Sequence, residues 1–111
     1  MATAQFIHDG KSIDYTPGAD VAAGDVVVQN DLLGVAKLDI AANTLGALAV
    51  TGVFDVPKAT GAGTAIGAGA KVYWNATAKQ ATTTATGNKY LGKTVKAAVD
   101  ADATVRVRLE Q

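Results

Sequence analysis

Thr104-Val105-Arg106-Val107-Arg108-Leu109 is the stretch that decides the fold class. Val105, Val107 and Leu109 fall on one side of an extended chain, and Arg106 and Arg108 on the other, which is the period of a half-buried strand. Working back from it, the same period recurs in Tyr90-Leu91-Gly92-Lys93-Thr94-Val95, after a Gly87-Asn88 turn signal, and in Ala70-Lys71-Val72-Tyr73-Trp74. Asn75-Ala76-Thr77 opens a turn into Gln80-Ala81-Thr82-Thr83. The Gly-rich run from Thr60 to Gly69 reads as a loop with room for one helical turn at Thr64 to Ile66. Upstream, a long strand spans about Leu45 to Val56. Leu48, Val50, Phe54 and Val56 share one of its faces, Ala47, Thr51 and Asp55 the other, and Gly46 and Gly52 invite a bend. Two hairpins precede it. Asp25 to Gln29 and Leu32 to Lys37 flank Asn30-Asp31, while Gln5 to His8 and Lys11 to Tyr15 flank Asp9-Gly10, a type I′ signal. No segment sustains a helical period over three turns. The expected fold is all-β: a small single-domain β-barrel or β-clip-like sandwich of residues 1–111, with several hairpins, at most one short helical turn and a flexible N-terminal arm at residues 1–5.

Composition supports this class and removes others. The chain has 111 residues, 49% of them hydrophobic but only 5% aromatic, so Ala, Val, Leu and Ile must build the core. Twelve glycines supply turns and bulges. With no cysteine, neither a disulfide frame nor a thiolate metal site is available. Ten Lys and Arg balance ten Asp and Glu, and a nucleic-acid binder normally carries a basic excess that displaces phosphate counterions. No apolar run approaches the roughly 18 residues of a membrane span. Met1-Ala2-Thr3-Ala4-Gln5 lacks the charged and apolar regions of a signal peptide, so a soluble protein made in a cytoplasm is expected.

The residues offer little for catalysis. His8 is the only histidine, which leaves no triad and no multi-histidine metal site within one chain. Gly67-Ala68-Gly69-Ala70-Lys71 fails as a phosphate loop, because Val72 stands where Ser or Thr is needed and a strand follows in place of a helix. The aspartates are spread through turns, where their side chains cap backbone N–H groups, and Asp100 with Asp102 reads as a turn before it reads as a cation site. Asn75-Ala76-Thr77 reads as turn chemistry. No catalytic residue, cofactor or metal is therefore expected, and what remains is surface. Trp74, the only tryptophan, is a core plug or an interface anchor. Arg106 and Arg108 face outward, to solvent or to carboxylates of a neighbouring subunit. There is also an echo: Val21 to Val28 resembles Ile66 to Tyr73, and each is followed by a Leu-Gly pair, Leu33-Gly34 and Leu91-Gly92. Two related β units would produce it, and so would chance in a chain of such simple composition.

Ile13-Asp14-Tyr15-Thr16-Pro17, Val21 to Val27, Gly67 to Trp74 with Asn75-Ala76-Thr77, and Thr104 to Leu109 together resemble, in order and over nearly the whole chain, the phage capsid cement (head decoration) family. Members of that family were once catalogued as a domain of unknown function and sometimes labelled recombinases, a label the missing nucleotide-binding loop does not support. The resemblance implies a non-enzymatic virion protein, made in the host bacterial cytoplasm. It would bind the major capsid protein on the outside of the head, as a homotrimer at threefold or quasi-threefold positions, without nucleic acid or membrane. On that reading Trp74, Arg106, Arg108 and the arm residues Ala2, Thr3 and Ala4 are the candidate interface. A tail or baseplate β module and a carbohydrate-binding β domain are the alternatives.

Overall fold

The structure, a computed structural model, describes residues 3–110. Among these it holds nine strands and no helix: β1 Ser12–Tyr15, β2 Val26–Gln29, β3 Leu32–Ala36, β4 Gly46–Ala49, β5 Gly52–Pro57, β6 Lys71–Asn75, β7 Gln80–Thr82, β8 Lys89–Thr94 and β9 Thr104–Leu109. They form two antiparallel sheets, ordered β1-β4-β3-β2 and β5-β9-β8-β6-β7. The second sheet curls until Lys58, just past β5, makes a single parallel bridge to Ala81 of β7, without closing a barrel ladder. Leu33 and Val35 of β3 belong to the same buried cluster as Val56, Val72, Trp74, Leu91, Val105, Val107 and Leu109 of the second sheet. A smaller cluster of Ala36, Ile40 and Leu48, backed by Ile13 and Tyr15, sits within the first unit.

The all-β expectation holds, and so does the alternation in β9, where Val105, Val107 and Leu109 are buried and Arg106 and Arg108 exposed. The Asn30-Asp31 hairpin forms as read, with Gln29 opposite Leu32. Two expectations are corrected. Residues 5–8 make no strand; β1 pairs with β4, Ile13 opposite Leu48, and the Gly10 N–H turns back onto Nδ1 of His8 at 2.9 Å. Through β4, Ile13 and Tyr15 reach the cluster of Ala36, Ile40 and Leu48, burial that a local hairpin does not offer, so the long-range pairing wins. The long strand breaks at Val50 to Gly52, where Gly52 takes φ +119 and the chain passes from one sheet to the other. The apolar face continues across the break, Leu48, Val50 and Val56 all being buried. The loop from Thr60 to Gly69 forms no helical turn, in keeping with the expectation of at most one, and Ile66 bridges Ala98.

The sequence echo marks an internal structural repeat. With β7 set aside, the two sheets have the same order, β1-β4-β3-β2 matching β5-β9-β8-β6. Val21 and Ile40 exchange two backbone hydrogen bonds of 2.8 Å, and Ile66 and Ala98 do the same at 2.9 and 2.8 Å. The Gly24 N–H donates to Ala36 O, as Gly69 N–H does to Thr94 O, with both glycines at positive φ. Each Leu-Gly pair lies where the strand presses on its neighbour. A Cβ on Gly34 would meet Ala49 O and the Leu48 side chain, and one on Gly92 would run into Arg108 O. The hairpin that adds β7 has no counterpart in the first unit.

Candidate interaction surfaces

Several polar side chains in the loops hold backbone. Asp20, Asp25 and Asp39 accept N–H groups of Ala42, Ala22 and Ala23 at 2.8, 3.0 and 2.8 Å. Asp100 and Asp102 do the same for Ala65 and Val99, at 2.8 and 3.0 Å. Asn75 Oδ1 takes the N–H groups of Thr77 and Ala78, the turn chemistry read from its sequence. Among the described residues no three His, Cys, Asp or Glu side chains stand where they could share a metal ion.

One residue the sequence reading passed over is Lys58. It follows Pro57 at the end of β5 and is buried, its Nζ donating to Ala59 O at 2.7 Å and Asp102 O at 2.9 Å, with the Thr64 hydroxyl at 3.4 Å. An ammonium removed from water needs such acceptors. Here it ties the loop after β5 to the loop before β9. A lysine among small residues carries no sequence signal of this role.

Trp74 of β6 lies in the larger core, 6% exposed. Arg106 is spoken for: its Nε and guanidinium nitrogen donate to Asp55 at 2.9 and 3.3 Å across the β5–β9 ladder. That contact holds the Asp55 carboxyl below its usual range, the hydrogen bond from Arg106 being the main cause. Arg108 is exposed and has no ion-pair partner among the described residues. Thr3 and Ala4 are exposed, and Ala2 lies outside the described residues.

The register adds what spacing could not show. Lys71 stands opposite Lys93, and Lys93 opposite Arg108, so three cations form one row across β6, β8 and β9 on the exposed face of the second sheet. Like charges directly opposite on a sheet repel, and Glu110, 3.8 Å from Lys93, offsets only part of this. The matching row of the first sheet is Val26, Val35, Ala49 and Ser12; Val35 and Ala49 are buried there, Val35 in the shared core. Positions that face another layer in one unit face outward in the other, and they have become cationic. The asymmetry extends to the whole chain. Residues 1–50 hold two Lys and six Asp, and residues 51–111 hold eight Lys or Arg and four Asp or Glu. A net charge of zero concealed it.

A cleft of about 660 Å³ runs beside β2 and between the units; Val26, Val28, Phe54, Val56 and Trp74 are among its lining side chains. Phe6, Ile7 and Val28 are among the exposed large apolar residues, with Leu38 and Leu45.

A sequence model described as phage cement protein matches residues 7–109. Neither a curated protein nor a solved structure gives a match.

Proposed function

This chain belongs to the phage cement protein family, and on that premise we propose that it is a non-enzymatic clamp on the outside of a phage head. The family match over residues 7–109 carries the capsid structural role and the virion location. The finer reading is that it binds the major capsid protein as a homotrimer at threefold or quasi-threefold positions. A shell under internal pressure fails where neighbouring capsomers part. A clamp touching three of them at once can be built from weak contacts, because linking the sites raises avidity by about two to four orders of magnitude. Such a body needs rigidity and complementary surfaces, and no pocket for a substrate. The row Lys71, Lys93 and Arg108 is the surface best suited to an acidic shell, since an acidic partner relieves the repulsion within it. Arg106 and Trp74 take supporting parts, the first through Asp55 and the second inside the core. The arm residues Ala2, Thr3 and Ala4 are proposed to lie on the shell through backbone hydrogen bonds, which small side chains permit.

A sugar-binding role is less well supported, because Trp74 is buried and Tyr73 and Tyr90 pack edge to face on each other at 5.7 Å. The experiment is reconstitution: purified protein is added to heads and, separately, to tails of the source phage. Saturable binding to heads, with increased resistance of those heads to heat, is the expected result. Binding to tails alone would reassign the protein to the tail or baseplate.

A further inference from the structure

The internal repeat sets β2 against β6, and the two differ in one respect. The outer side of β6 is covered by β7, Trp74 opposite Ala81, whereas β2 ends its sheet with no strand paired to its outer side among the described residues. Exposed sheet edges recruit further strands, and proteins blunt them with charge, proline or cover. The other edges here are blunted. β1 carries Asp14, β5 carries Asp55 and Pro57, and β7 is bridged through Ala81 to Lys58. β2 reads Val26-Val27-Val28-Gln29, with neither charge nor proline, and an apolar cleft opens alongside it.

The same chain carries a segment suited to that place. Residues 3–10 make no strand pairing, yet Phe6 and Ile7 are 80% and 73% exposed, the first and third most exposed of the large apolar side chains described. An extended Gln5 to His8 would turn alternate side chains to either face. One of the two apolar residues would then enter the cleft lined by Val26, Val28 and Trp74. The segment leaves the sheet at β1, however, and β1 and β2 are opposite edges of that sheet, separated by β4 and β3 and so by about 14 Å at the usual strand spacing. A donor on one edge and an acceptor on the other make a heterologous contact, which closes when copies form a ring.

We propose that the free edge of β2 is an interface between copies of this chain, filled by residues 5–8 of a neighbouring copy in the place that β7 holds beside β6. This rests on the homotrimer reading above and gives it a contact. Residues 2–4, ahead of the paired segment, remain free for the shell.

The chain has no cysteine, so engineered pairs report cleanly. Full-length chains bearing only Ile7→Cys, tagged for mass, are mixed with chains bearing only Val28→Cys and mildly oxidised. A second variant, Phe6→Ser with Ile7→Ser, alters only exposed side chains and leaves both sheets intact. The expected results are a mixed disulfide dimer, and a trimer-to-monomer shift of the double serine variant in light scattering with an unchanged β-sheet spectrum. Three results overturn the interface: a persistent trimer in the serine variant, no mixed disulfide, or an intrachain disulfide in a monomer carrying both cysteines. If the serine variant stays trimeric and instead loses head binding, the segment belongs to the shell, and this inference falls while the cement reading stands. If the unaltered chain cross-links as expected but does not bind heads, the interface stands and the cement reading falls.

Discussion

Gly92 lies against the carbonyl oxygen of Arg108, in a space where no Cβ fits, and Gly34 occupies the matching position against Ala49. At Gly92 the neighbour is backbone held in a ladder, which cannot move aside without breaking pairs, whereas at Gly34 the Leu48 side chain comes nearest. Gly92→Ala is therefore expected to cost upwards of about 3 kcal/mol, the upper range of overpacking, and denaturant unfolding checks it. Gly10 is also at positive φ but has open space around it and lies outside both sheets, so substitution there meets the backbone strain alone and no clash. Two carboxylates give the fold an acid dependence. Asp55 is held below its usual value by the hydrogen bond from Arg106, and Asp31 by the hydrogen bond and charge of Lys89 at 2.6 Å, a contact joining the two units. Each carboxyl binds its proton more weakly folded than unfolded. The stability it contributes is thus present above the ordinary carboxylate value of 3.8 and lost as pH falls through the lowered one. Both pairs are exposed, which keeps the effect small. Urea midpoints of the unaltered chain should fall on acidification through that window, and those of Asp55→Asn with Asp31→Asn should fall less.

At the scale of elements, the strands with strict alternation or a two-residue turn were legible, β9 and the β2–β3 hairpin above all. What escaped was pairing across distance. Nothing in Ser12-Ile13-Asp14-Tyr15 says that its partner is Gly46 to Ala49 and not the adjacent Gln5 to His8, because the choice depends on which pairing buries Ile13 against Leu48. The cationic row was hidden for the same reason, since Lys71, Lys93 and Arg108 come from three separate strands and meet only through register. The repeat was half visible. Its glycines and Leu-Gly pairs are in the sequence, but the β7 insertion and the change from Val35 to Lys93 disguise the match. Gly52 shows what one residue contributes at an element boundary. Its φ of +119 directs the chain from the first sheet to the second, and Phe54 lies 3.3 Å from where a Cβ would stand. Gly52→Ala is expected to destabilise the fold by at least about 1 kcal/mol, read as a lowered melting temperature, because an L side chain resists that conformation.

Across the whole molecule, the two units share one topology but divide the work. The first turns its Val35 face toward the common core, and the second leaves the equivalent face exposed and cationic. Repulsion within the row costs stability, so a single change in it separates a structural role from the proposed binding role. Lys71 stands at its end, opposite Lys93, with no ion-pair partner among the described residues. Lys71→Glu replaces a repulsive cross-strand pair with an attractive one, so the melting temperature of the free protein should hold or rise. On the proposed contact with an acidic shell, the same substitution would set a carboxylate against like charge, and binding should weaken, most of all at low salt where exposed charges are least screened. If three copies act together, as proposed above, a modest loss per contact multiplies, and apparent affinity should fall by far more than one site's share. Melting and head-binding measurements on the same preparation read both effects. A variant that melts as high as the parent yet binds heads less tightly marks this face as the shell side. Unchanged binding at low salt would move the shell contact elsewhere and leave the row as the polar outer face of a two-unit stack.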